Sequence, residues 1–208
     1  MPGQWFFFGK NLMRKTIFLL GWLACALTAS SQTAADSATL VQRLDEFMKA
    51  NAVLDISKVM DYTYPKLFEL APKESIVEAM KNTFDNEEIN IRMDSLEVIR
   101  IHPLFAFNNG FYSRIDYSMV MRMQFKKQAD MDPEQLGSTL AAFRSQFGEK
   151  NVWYSETDKR FNIYQRTSMA ALRDEPKEKW TFVNIKKDDP MMMQLLDKAL
   201  IEKLESYK

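Results

Sequence analysis

One histidine, one cysteine, six glycines and seven prolines in 208 residues leave this chain short of the groups on which much protein chemistry rests. The single cysteine, Cys25, has no partner for an internal disulfide. The single histidine, His102, excludes His-rich metal sites and leaves only carboxylate-dominated ones, for which no loop shows ligand spacing. There is no Gly-x-Ser-x-Gly elbow, no Walker-type phosphate loop, no Gly-x-Gly-x-x-Gly turn and no helical zinc motif. Neither sign of charge dominates, since 28 Lys and Arg face 28 Asp and Glu.

What is present begins near the start of the chain. Arg14 and Lys15 precede an apolar run from Ile17 to Leu27, and small residues follow from Thr28 to Ser31. This is the layout of a secretory signal peptide. The run is about eleven residues, whereas a spanning helix needs roughly twenty. The sequence therefore predicts cleavage of residues 1–31 near Ser31/Gln32 (Ala29/Ser30 is the other site), with Met13 a cleaner start than Met1. It predicts export, to the periplasm or beyond, and no stable membrane span. A lipid anchor on Cys25 is the minor alternative, because Trp22-Leu23-Ala24 makes a poor preceding box. Taking Lys10, Arg14 and Lys15 from the 28 basic residues leaves 25 against 28 acidic ones, a net charge of −3. A mildly acidic domain is a poor nucleic-acid binder. Residues 32–38 read as a flexible leader and 39–208 as one domain of adequate size for a core.

The mature chain opens with helical spacing. Thr39 and Gln42 form a capping-box pattern ahead of the stripe Leu40, Leu44, Phe47, Met48. A short helix is expected over Asp55 to Tyr62, ended by Thr63-Tyr64-Pro65, since proline disfavours the helical conformation of the residue before it. Lys66 to Leu70 fits either a short strand or a turn of helix. Pro72 suits a helix start, with Ile76, Val77, Met80 and Phe84 inward. From Glu88 to Phe125 the period becomes two, with a phase shift at Asp94-Ser95 that predicts a bulge. Asn108-Asn109-Gly110 predicts a hairpin turn. Beyond it, Phe111, Ile115, Tyr117, Met119, Met121, Met123 and Phe125 share one strand face, expected to be the buried one. Asp132 and Pro133 open an inserted helix with the stripe Leu136, Leu140, Phe143, Phe147, closed by Gly148. Strands are expected over Asn151 to Ser155, Arg160 to Leu172 and Lys179 to Ile185. A single C-terminal helix is expected from Pro190, capped by Asp189.

Helices first, then a curved antiparallel sheet, predict an α+β fold with N-terminal helices packed on the sheet, an inserted helix and a C-terminal helix. In the helical opening, the Asp61-Tyr62-Thr63-Tyr64-Pro65 break and the long hairpin at Asn108-Asn109-Gly110, the order resembles the nuclear-transport-factor-two-like superfamily over roughly residues 39 to 126. That resemblance implies a cone, closed by helices over a bent sheet. It also implies a role among isomerases, cyclases, dehydratases or non-catalytic binding modules, and in many members a dimer through the outer sheet face. Tyr112, Val120 and Arg122 would lie on such a face.

Individual side chains assign no catalytic residue, no metal ligand and no cofactor. His102, before Pro103 at a strand end, reads as structural. Arg114 and Asp116 lie two apart on the face opposite Tyr117 and read as an ion pair rather than a general base with its partner. The row Met119, Met121, Met123 reads as ordinary core or as a soft apolar cavity. If a cavity is present, Tyr62, Tyr64, Tyr117 and Trp180 bring polar tips to it. The ligand-binding set is therefore Tyr62, Tyr64, Tyr117, Met119 and Trp180. The expectation is an exported non-catalytic protein that takes an apolar small molecule or an envelope partner. An isomerase- or hydrolyase-type enzyme with a carboxylate or tyrosine in the cone, and a homodimeric interaction module, are the alternatives.

Overall fold

The computed structural model describes residues 35–128, 131–186 and 189–207. The expected signal peptide, Cys25 and the expected start at Met13 lie outside the described residues. The chain divides into two units, Met1–Val41 and Gln42–Lys208. In the first, residues 35–41 are helical. Helix is thus already formed ahead of Thr39, whose hydroxyl donates back to the Asp36 carbonyl at 2.9 Å rather than forward as a cap.

The second unit begins with helical residues 42–52 (α1), followed by α2 (Ile56–Met60), α3 (Leu67–Leu70) and α4 (Lys73–Phe84). Asp55 caps α2 by accepting from the Lys58 amide at 3.1 Å, and Pro72 precedes α4. Ala50, Val59 and Met60 form a small core among these helices, with Phe47, Phe68, Ile76 and Met80 against it. The ambiguous stretch after Pro65 resolves as a single helical turn, α3.

The sheet is curved, open and antiparallel, built from β1 (Ile89–Ile101), β2 (Phe105–Phe107), β3 (Gly110–Phe125), β4 (Val152–Ser155), β5 (Arg160–Arg173) and β6 (Thr181–Ile185). Its central order is β1-β3-β5-β4, with β2 also on β3 and β6 also on β5. The register of β1 on β3 slips between Asp94 and Glu97, where the alternation breaks, and Ser95 takes a positive φ of 50°. The tight turn falls at Asn108-Asn109, with Asn108 at φ 50°. It joins β3 to the short β2 rather than directly to β1. Pro103 lacks an amide for the ladder, and β1 ends just before it.

Cross-strand pairing defines two faces. Tyr112, Arg114 and Asp116 share the first with Leu172, Ala170 and Ser168; Ile115 and Tyr117 share the second with Met169 and Thr167. The second face carries α1 and the inserted helix α5 (Pro133–Phe147). Phe47 of α1 stacks on Phe182 of β6 with ring centroids 4.9 Å apart. Phe143 of α5 meets Phe161 edge-on at 5.3 Å. Asp132 caps α5 at 2.8 Å, and Gly148 leaves it at φ 97°, a conformation that favours glycine.

The C-terminal helix is two helices, α6 (Pro190–Leu195) and α7 (Lys198–Glu205). Asp197 breaks the run because its carboxylate caps the new helix at the Ala199 amide, 2.8 Å away. These helices pack on the first face. Met192, Leu195, Leu196, Leu200 and Leu204 join Tyr64, Tyr112, Ala170, Leu172 and Val183 in one core. The opening of β3 is consequently buried on both sides: Tyr112, Ser113, Ile115, Tyr117 and Ser118 are all buried, while Met119, Met121 and Met123 are half-buried. The expected single buried face fails here because the C-terminal helices cover the other one. No described helix is long and apolar enough to cross a membrane.

Candidate functional site

Pro65 disfavours helical backbone at Tyr64, and the segment 62–64 runs beside the start of β6. Tyr64 N–H donates to the Phe182 carbonyl at 3.1 Å and Phe182 N–H to the Tyr62 carbonyl at 2.8 Å. The two tyrosines then go to different partners. The Tyr62 hydroxyl reaches Glu46 of α1 at 3.1 Å, with the Arg43 guanidinium 4.6 Å from its ring centre. Arg43 also donates from Nε to the Trp180 carbonyl at 2.5 Å. The Tyr117 hydroxyl donates to Asn184 at 2.9 Å, and burial pushes it up to about 12 with the Asn184 contact opposing weakly. Trp180 is 1% exposed, with the Arg173 guanidinium 4.8 Å from its ring centre. Met119 is half-buried. Of the five residues picked from the sequence, Tyr64 lines a pocket beside Asp174, and the other four line neither that pocket nor the depression between α2 and α4.

That pocket holds about 220 Å3. Its polar wall centres on Asp174, the first residue beyond β5. Tyr64 donates to Oδ2 at 2.8 Å, Tyr112 to Oδ1 at 2.9 Å, and the Lys66 ammonium lies 3.2 Å from Oδ2. Leu195, Leu196 and Leu200 supply an apolar wall, and Asn108 and Asn109 of the hairpin turn reach its rim. Burial pushes the Asp174 carboxyl up, but the hydrogen bonds from Tyr64, Tyr112 and Lys66 outweigh it and leave the group below its ordinary range. Burial, then the Asp174 bond and charge, push both Tyr64 and Tyr112 far above the ordinary phenol. Gly110 is required beside them. A Cβ there would stand 2.5 Å from the Tyr112 hydroxyl and 2.7 Å from the Arg173 carbonyl.

A second polar cluster lies on the same sheet face. His102 Nε2 is 2.8 Å from Asp116 Oδ2, Arg114 Nε donates to Oδ1 at 2.7 Å, and Ser168 Oγ donates to Oδ1 at 2.8 Å. Burial pushes Asp116 up, but these three donors prevail and hold it at about 2. An ionised carboxylate only accepts, so His102 Nε2 carries the proton of that bond. The Arg114–Asp116 ion pair expected from strand parity is present, and His102 joins it as a buried structural partner, 5.0 Å from the Tyr207 ring. The order of bonds matters. Ser168 and His102 both bind Asp116 and not each other, so no imidazole faces the serine hydroxyl and the set is not a nucleophilic triad.

A larger depression of about 710 Å3 lies between α2 and α4. Its walls are mainly opposed charges such as Lys73 and Asp61, 3.0 Å apart, which read as a solvated face. Among the described residues, no group of three His, Cys, Asp or Glu side chains could hold a metal ion.

The sequence missed Lys66, Tyr112 and Asp174 as members of one site. Tyr112 stood on the strand face read as outer, and Asp174 fell between the strands expected over Arg160 to Leu172 and Lys179 to Ile185. The available signal was their proximity across β3 and β5, visible only once Tyr112 is registered opposite Leu172. Compared with protein-family models, curated proteins and solved structures, the chain matches none.

Proposed function

We propose that this chain is an exported, non-catalytic binding domain of the cone-like class, and that its ligand site is the pocket walled by Tyr64, Lys66, Tyr112 and Asp174. The observation that carries the reading is the convergence of two buried tyrosine hydroxyls and one lysine on a single carboxylate at the edge of a 220 Å3 pocket. Buried polar groups fixed this way orient a ligand without reorganising. The titration behaviour favours binding over chemistry. A general acid or base works best with a pKa near the operating pH. Here the tyrosines are moved far above that range and the carboxylates of Asp116 and Asp174 below it. The volume lies under the roughly 300–1,000 Å3 of drug-sized sites, so the ligand is small. The pocket's apolar wall keeps part of the expected apolar-ligand reading, while its polar wall adds a charged head.

The test is a thermal-shift screen of the purified protein against small amines, carboxylates, alcohols and sugars. A ligand present at a hundred times its Kd stabilises by about 2.7 kcal/mol. The reading expects at least one class to raise Tm, and Tyr112→Phe to diminish that rise. A Tm rise unaffected by Tyr112→Phe and Asp174→Asn, or turnover of any compound in the screen, contradicts it.

A further inference from the structure

Resting on that reading of the pocket, we infer that it takes a small primary organic ammonium, and that Lys66 is a tethered stand-in for the ligand's own head group. Lys66 shows what the site accepts. Its ammonium is 3.2 Å from Asp174 Oδ2 and 5.5 Å from the centre of the Tyr64 ring. A carboxylate beside an aromatic face is the combination that recognises a desolvated cation. Lys66 is also displaceable, since its side chain is 50% exposed whereas that of Asp174 is 29% exposed.

The surrounding charge has the same sign. Asp174 and Asp197 line the pocket, with Lys66 the one cation among its described lining residues, and the charges of Glu69 and Glu178 also act on Tyr64. An anion would face these carboxylates with only Lys66 in its favour. Removing Lys66 leaves Asp174 with an open acceptor position on Oδ2 while both tyrosine bonds stay in place. Leu195, Leu196 and Leu200 give the remainder of the ligand an apolar wall. At roughly 30 Å3 per water, 220 Å3 equals about seven waters, which suits a short alkyl chain bearing one ammonium.

Isothermal titration of the purified full chain with n-butylammonium chloride, with sodium butyrate as the opposite-charge isostere, tests this. Butylammonium binds and butyrate does not. Lys66→Ala tightens butylammonium binding about three- to fivefold, the range that freeing one exposed ion pair provides, while Lys66→Arg leaves it unchanged. Asp174→Asn abolishes binding, and Tyr112→Phe, which keeps the carboxylate, weakens it. Butyrate binding that is lost in Lys66→Ala would overturn the ammonium assignment yet keep the pocket as a ligand site. Butylammonium binding weakened by Lys66→Ala would overturn the stand-in role. Absence of binding by either probe to both the wild type and Lys66→Ala overturns the ammonium assignment, and if the thermal-shift screen is also blank the pocket reading falls with it.

Discussion

Asp116→Asn is the perturbation whose effect can be worked furthest from the structure. Three donors hold the Asp116 carboxyl at about 2 in the folded protein against 3.8 for a free aspartate. At about 1.36 kcal/mol per pH unit, the ionised carboxylate contributes roughly 2 kcal/mol to stability. The folded-state value is the lower one, so this contribution is complete above the unfolded value near 4 and disappears as pH falls through 2. Urea unfolding of wild type and Asp116→Asn, extrapolated to water, should differ most at pH 5. At pH 2.5 the gap should have narrowed by about 1.5 kcal/mol, because Asp116 is by then protonated in the unfolded chain while the folded carboxyl is still largely ionised, so most of the pH-dependent contribution is already lost. Carboxylates elsewhere titrate alike in both proteins and cancel. Repeating the comparison with His102→Gln in both chains takes the imidazole donor out of the cluster. The narrowing should persist at smaller size, since Arg114 and Ser168 still bind Asp116. A gap that stays constant within about 0.5 kcal/mol from pH 5 to 2.5 would refute the claim that the cluster is built around an ionised Asp116.

Three further outcomes follow from the same geometry. Gly110→Ala should lower stability by more than about 1 kcal/mol and displace the Tyr112 hydroxyl from Asp174, read by urea unfolding and by loss of the Tyr112 hydroxyl proton resonance. Phe182→Ala, at a side chain 1% exposed and stacked on Phe47, should cost about 3–5 kcal/mol in the same unfolding assay. In an alkaline titration followed by phenolate absorbance, Tyr117 should ionise only near 12 and Tyr64 and Tyr112 only on unfolding. Normal titration of all seven tyrosines would contradict the buried hydrogen bonds.

What was legible in the sequence was local. Asp132, Pro133 and Gly148 bracket α5 because caps act on adjacent backbone groups, and the Asp94-Ser95 phase shift marks the bulge because strand alternation is a period of two. Parity also placed Asp116 beside Arg114 and away from Tyr117. The rest depends on long-range register. His102 and Ser168 lie 14 and 52 residues from Asp116, and Tyr64 and Tyr112 lie 110 and 62 residues from Asp174. No local pattern encodes which strand residues face each other, so neither cluster could be assembled from spacing. The same limit hid the covering of Tyr112 by α6 and α7, because an amphipathic C-terminal helix does not specify which sheet face it will bury. Of the tyrosines expected to bring polar tips to a cavity, Tyr64 lines the pocket at Asp174, whereas Tyr62 and Tyr117 bond elsewhere.

The most direct test of the binding site is a backbone amide NMR spectrum of the isotopically labelled full chain, recorded during titration with n-butylammonium and with any other compound that raises Tm. The account predicts saturable shifts concentrated at Lys66, Asn109, Asp174 and Leu196, with the charged depression between α2 and α4 unmoved. Shifts centred on Lys58, Lys73 and Lys81 instead, with the amides around Asp174 unchanged, would contradict it.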